Sequence, residues 1–174
     1  MRSSALLGDS ARCIGDWLER WARQAPDRIF LGERANAELP WRTVTYREAL
    51  NAVRAAASWI LARGLSAERP LVILADNGVD HALFALAAQH VGVPSAAISP
   101  AYSLMSRDFD KLKSMIGLLD PGAIYVTGTK PFAGALAAIK GLHLAVIVSG
   151  NADAVAFRTI QATLASPDVS TSFA

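Results

Sequence analysis

The stretch "VTGTKPFAG", Val126 to Gly134, gathers hydroxyl-bearing residues, two glycines and one lysine between an apolar run and a helical pattern, as a phosphate-cradling loop would. A P-loop needs G-x-x-x-x-G-K-S/T, so that successive backbone N–H groups curl round the phosphates and the lysine reaches the outer ones. Gly128 and Gly134 have the wrong spacing, and Lys130 lies between them instead of after the second. No G-x-G-x-x-G occurs either, so the dinucleotide fingerprint is absent. The stretch reads as an ordinary turn between strand and helix.

Other reactive side chains form no constellation. His81 and His90 fall on one predicted helix about 180° apart, which prevents shared ligation, and His143 begins a strand. They read as exposed or core-edge histidines. Cys13, the single cysteine, has no histidine near it in sequence and reads as a small buried residue. Asp108 and Asp110 point about 200° apart on a helix and suit its first turn, where they favour the dipole, better than acid–base chemistry. Trp17, Trp21, Trp41 and Trp59 stand at packing positions and read as core.

Composition narrows the function classes. The chain of 174 residues is 52% apolar and 18% charged, with mean hydropathy +0.29, so it can bury a core and is far from the composition of disordered chains. Its 17 basic and 15 acidic side chains are scattered singly, leaving no basic stripe for nucleic acid. One cysteine excludes an internal disulfide framework and a cysteine-rich zinc site, and suits a reducing, cytoplasmic setting. The run "ALL" near the N-terminus is too short for a signal-peptide core, and "ALFALAAQHVGVPSAAI" is too short and too interrupted to span a membrane.

The elements that must position these residues follow from periodicity. Ile14, Trp17, Leu18, Trp21 and Ala22 predict a helix over Ile14 to Gln24, stopped by Pro26. "RIFLGER" and "WRTVTY" predict two paired strands. Thr45 and Glu48 form a capping box, and Ala49, Leu50, Val53, Ala56, Ala57, Ile60 and Leu61 continue that helix to a left-handed stop at Gly64. From Leu71, continuous apolar runs alternate with helices: "LVILA", "VDHALFALAAQHVG", "VPSAAIS", "DFDKLKSMIGLL", "AIYV", "FAGALAAIK" and "LHLAVIV". That alternation predicts an α/β fold with four parallel strands and helices on both faces, preceded by a helix and a short β-pair. The expected layout is a disordered N-terminus over 1–10, a subdomain over 11–165 with a last helix in "ADAVAFRTIQATLA", and an unstructured tail over 166–174.

Three segments, in order, resemble the N-terminal region of AMP-forming acyl-CoA synthetases, the adenylate-forming family. They are "APDRIFL", then "VTYREAL" at Val44 to Leu50, then "VILADNGVDHALFALAAQHVGVPSAAISP". Within that family, "ARCIGDWLERWA" and "SPAYSLMSRDFDKL", Ser99 to Leu112, look most like feruloyl-CoA synthetases. The resemblance implies a ligase that activates a hydroxycinnamic acid with ATP and Mg²⁺ to an acyl-adenylate, releases pyrophosphate, and passes the acyl group to coenzyme A.

The family's phosphate loop reads like Y/F-T-S-G-S/T-T-G-x-P-K-G. "YVTGTKPFAG" shares letters with it but lacks the second glycine at the right spacing and the lysine after proline, and it comes too early. The resemblance places the true loop just past Ala174, so these residues are expected to be an inactive, incomplete subdomain that binds neither ATP, Mg²⁺ nor CoA tightly. Its carry-over to this chain is limited to one edge of the coenzyme A nucleotide site, with Ser99, Pro100 and Ala101, and after them Lys130, as the candidate residues. Exposed apolar surface is expected to promote self-association. The alternative is a non-catalytic α/β binding or scaffold module derived from the same family.

Overall fold

The computed structural model describes residues 11–34, 36–140 and 145–149. Helix α1 (Ile14–Gln24) has the predicted bounds and leads to an antiparallel pair of β1 (Ile29–Glu33) and β2 (Arg42–Thr45). Helix α2 (Tyr46–Ala62) opens on the predicted capping box: Glu48 N donates to Thr45 Oγ1 at 3.3 Å, and Thr45 N donates to Glu48 Oε2 at 2.8 Å. It closes at Gly64, whose φ of +68° lets Leu65 N reach back to Ile60 O at 3.3 Å. Ala49, Val53, Ala56 and Ile60 on its apolar stripe are fully or almost fully buried, and burying a side chain the size of Ile60 stabilises the fold by about 1.5–3 kcal/mol.

Strand β3 (Leu71–Leu74) is buried at every position, as a central parallel strand requires. After it come α3 (Val79–His90), β4 (Ser95–Ala97), the one-turn α4 (Pro100–Ser103), α5 (Asp110–Leu119), β5 (Ala123–Thr127), α6 (Ala133–Ala138) and β6 (Ala145–Ser149). The sheet runs β4-β3-β5-β6, and all three pairings are parallel. Alternate residues of β3, β5 and β6 feed two cores. Leu71, Ile73 and Tyr125 pack with α2 and α3 on one face, with the Tyr125 and Phe84 ring centroids 4.6 Å apart. Val72, Leu74, Ile124 and Val126 pack with α5 and α6 on the other. Both faces of the sheet are therefore covered, as the sequence predicts.

Several expectations need correction. Trp17, Trp21 and Trp41 are 42%, 36% and 61% exposed, and only Trp59, at 8%, is core. Helix α1 turns so that Gly15 and Leu18 face inward, which leaves Trp17 and Trp21 at the rim. Arg20 and Arg34 lie over the Trp17 and Trp41 rings, 5.3 Å and 5.1 Å from the centroids, so cation–π contact replaces burial. Cys13 is exposed rather than buried, because it precedes α1 as its N-cap residue. Asp108 lies before α5, so the helical angle between it and Asp110 does not apply. The helix predicted over 152–165, the segments 1–10 and 166–174, and His143 lie outside the described residues.

Candidate functional site

Because the strands are parallel, the segments leaving β3, β4 and β5 emerge at one edge of the sheet. The chain passes from β3 to β4 on one side and then crosses to β5 on the other, so the order reverses at β3. In open α/β sheets the crevice at the carboxyl ends beside such a switch is where ligands sit. Ser99, Pro100 and Ala101 follow β4 and Lys130 follows β5, so the topology brings these four sequence-predicted residues to the same edge, about 10 Å apart across the intervening strand.

Each does local structural work there. Ala101 N donates to Ser99 Oγ at 3.4 Å, which caps α4, and Pro100 fills the first helical position. Ile98 N donates to Ile73 O at 3.0 Å, fastening the segment to β3. The turn after β5 opens on Gly128 at φ +80°, and the Lys130 carbonyl accepts from Ala133 N at 3.4 Å. Lys130 itself is exposed. The Gly128–Gly134 stretch is the ordinary strand-to-helix turn that its spacing predicts.

The N-terminus of α3, the other anion-attracting feature of this edge, is already occupied. Glu33 reaches over from β1, and its Oε2 accepts from Val79 N at 2.7 Å. Its second oxygen accepts from Arg42 Nη1, while Arg42 Nη2 donates to Asp80 Oδ1 at 2.6 Å. Arg42 stays protonated: burial disfavours its charge, but the two carboxylates outweigh that and raise its pKa. A carboxylate of the chain thus holds the position a phosphate would take. Sequence reasoning missed this cluster, since its members lie on β1, β2 and α3; its faint signal is one charge in each of three otherwise apolar or strand-forming runs.

The remaining candidates are spent on structure. Asp108 Oδ1 accepts from Asp110 N at 3.2 Å and Ser106 Oγ at 3.1 Å, which holds its carboxyl below the usual aspartate range. Asp110 pairs with Lys113 at 3.1 Å. His81 Nδ1 lies 3.1 Å from Asp76 O, and because a carbonyl only accepts, Nδ1 carries the proton. His90 Nε2 is 3.8 Å from Glu19, and its buried Nδ1 has no hydrogen-bond partner among the described residues. A groove of about 440 Å³ between β1 and α3 has Phe30, Leu31, His81, Ala85 and Leu86 in its lining. Among the described residues no three His, Cys, Asp or Glu side chains converge on a cation position.

A parallel sheet wound by helices on both faces, with its connecting loops gathered at the carboxyl edge beside a strand-order switch, defines a doubly wound α/β domain. The model of the AMP-binding enzyme family matches residues 18–164, and the chain belongs to that family. No curated protein matches the chain. Among solved structures it is similar to the fatty acyl-adenylate ligase from L. pneumophila in complex with acyl adenylate and pyrophosphate. That match has 18% identity and a TM-score of 0.64, over 79% of this chain and 23% of that one. VinN is similar at 18% identity and TM-score 0.64, over 87% of this chain and 35% of its own. So is O-succinylbenzoate coenzyme A synthetase from Bacillus subtilis, in complex with ATP and magnesium, at 16% identity and TM-score 0.57, over 86% and 34%. At such identities the likeness is one of fold. The chain spans between 23% and 35% of these three solved chains.

Proposed function

We propose that the chain is the N-terminal subdomain of an acid–CoA ligase that converts a hydroxycinnamate such as ferulate, with ATP and Mg²⁺, to an acyl-adenylate and pyrophosphate and then to the CoA thioester. The observation that carries this reading is the run Ser99 to Leu112, which resembles feruloyl-CoA synthetases and lies inside the region matched by the AMP-binding family. Ser99, Pro100 and Ala101, with Lys130, are proposed to border the coenzyme A nucleotide. A cytoplasmic location suits these substrates.

The 174 residues lack the family's phosphate-loop motif, so the chain by itself is expected to be inactive. The test is ferulate-dependent exchange of labelled pyrophosphate into ATP, run on this chain and on the product of the source gene read past codon 174. Exchange by the longer product alone, together with a T-S-G-S/T-T-G-x-P-K-G loop in its sequence, supports the reading. Exchange by the 174-residue chain overturns its inactivity, and a longer product that adenylates other acids but not hydroxycinnamates overturns the substrate.

Met105 and Leu118 are 80% and 86% exposed, and self-association of this chain is proposed on that ground. Sedimentation of a single monomeric species across a hundredfold range of concentration would reject it.

A further inference from the structure

We infer that Phe109 is a conformational lock that fastens the loop after β4 to the loop after β5, so that the two carboxyl-edge loops move as one unit. Phe109 sits in the left-handed region, at φ +57° and ψ +16°. An aromatic residue holds that backbone only where its surroundings over-determine it. The turn is fixed on every side. Phe109 N donates to Ser106 Oγ at 3.1 Å, and Phe109 O accepts from Lys113 N at 2.8 Å. Lys113 Nζ folds back onto Asp108 O at 3.0 Å and Asp110 Oδ1 at 3.1 Å.

The ring supplies the long-range contact. It packs against the apolar core of α5 and α6, and a Cβ placed on Gly134 would lie 3.0 Å from its Cζ and 3.5 Å from its Cε2. Gly134 stands in the first turn of α6, immediately after the turn that carries Lys130, while Phe109 ends the segment that Ser99 begins. Glycine or asparagine would satisfy this backbone without strain, but neither reaches α6. The contact with Gly134 is therefore what the strained backbone is held to make. This lock does not depend on what the edge binds.

The test is a double-variant cycle on the 174-residue chain, read by thermal unfolding and by amide hydrogen exchange. In the wild-type background Gly134→Ala is expected to lower Tm, because its methyl presses on the ring. In the Phe109→Ala background the same substitution is expected to raise Tm, because alanine is the better helix former. Phe109→Ala is also expected to speed exchange in both the Tyr102–Arg107 and Gly128–Lys130 segments while leaving α2 unchanged. An equal Tm shift in both backgrounds, or faster exchange confined to the turn around Phe109, overturns the lock. Should Phe109→Ala not fold, Phe109→Gly, which relieves the backbone along with removing the ring, takes its place in both readouts with the same expected signs. If the glycine variant fails as well, the left-handed backbone is not the strained element and the inference falls.

Discussion

Replacing Arg42 with alanine tests whether the charged cluster under the β-pair fastens it to the α/β body. Arg42 is the only cation in contact with Asp80 among the described residues, and the two side chains are 14% and 8% exposed. Removing the guanidinium strands a nearly buried carboxylate. The cost of breaking such a pair from one side is about 3–5 kcal/mol. The second partner, Glu33, is 29% exposed and keeps its bond from Val79 N, so water screens its share and the lower end, about 3 kcal/mol, applies. For a domain of this size that corresponds to a fall in Tm of about 6–12 °C. Circular dichroism melts of wild type, Arg42→Ala, Asp80→Ala and the double variant give the coupling directly. The double variant should recover much of the loss, because no unpaired charge remains buried. If Arg42→Ala costs under about 1 kcal/mol, the cluster is a solvated surface pair and does not tie the β-pair to α3.

Three further outcomes follow from the geometry. Thr45→Ala removes the oxygen that receives Glu48 N and should lower stability by about 1 kcal/mol in urea unfolding; no loss would mean that the capping box does not form in solution. Gly122→Ala would place a Cβ 2.7 Å from Leu65 Cγ and 3.2 Å from the Arg69 carbonyl, and should cost about 1–3 kcal/mol by the same assay; a neutral substitution would show that the Leu65 turn yields freely. Glu19 is held below the usual glutamate range chiefly by its hydrogen bond from Arg54 at 3.1 Å. A depressed carboxylate adds stability that is fully present above its unfolded pKa and is lost as pH falls through the folded value. The difference in urea midpoint between wild type and Arg54→Ala should therefore shrink from pH 7 to pH 3, and a constant difference would assign Arg54's effect to packing.

Elements set by local periodicity were legible in the sequence, and contacts between distant segments were not. The bounds of α1, the Thr45–Glu48 box and the alternation that makes four parallel strands all depend on neighbours within a few residues. Trp17 and Trp21 were misread because apolar spacing marks a stripe without fixing its rotation, and close packing of Gly15 against His90 turns α1 away from the expected face; Trp41 was misread because it lies just before β2, outside the strand. Phe109 was invisible for a related reason: nothing in "RDFDK" marks an aromatic residue for a left-handed backbone, which is held by hydrogen bonds within its turn and by the ring's contact with Gly134 on a distant helix.

The candidate edge shows the same division at the level of chemistry. Sequence order alone sends Ser99–Ala101 and Lys130 to the carboxyl ends of β4 and β5, since parallel strands leave no other place for them. The third loop, after β3, leads into the N-terminus of α3, and that terminus is occupied from outside the sheet by Glu33. With one Glu33 oxygen on Val79 N and the other on Arg42, the N-terminus of α3 has its negative partner already, and because Arg42 offsets only one of the two carboxylates, Glu33 and Asp80, the cluster keeps a net negative charge that disfavours a second anion there. The Gly128–Gly134 turn has neither the glycine spacing nor the lysine position of a phosphate cradle, so the phosphate chemistry proposed for the whole enzyme is not drawn from it.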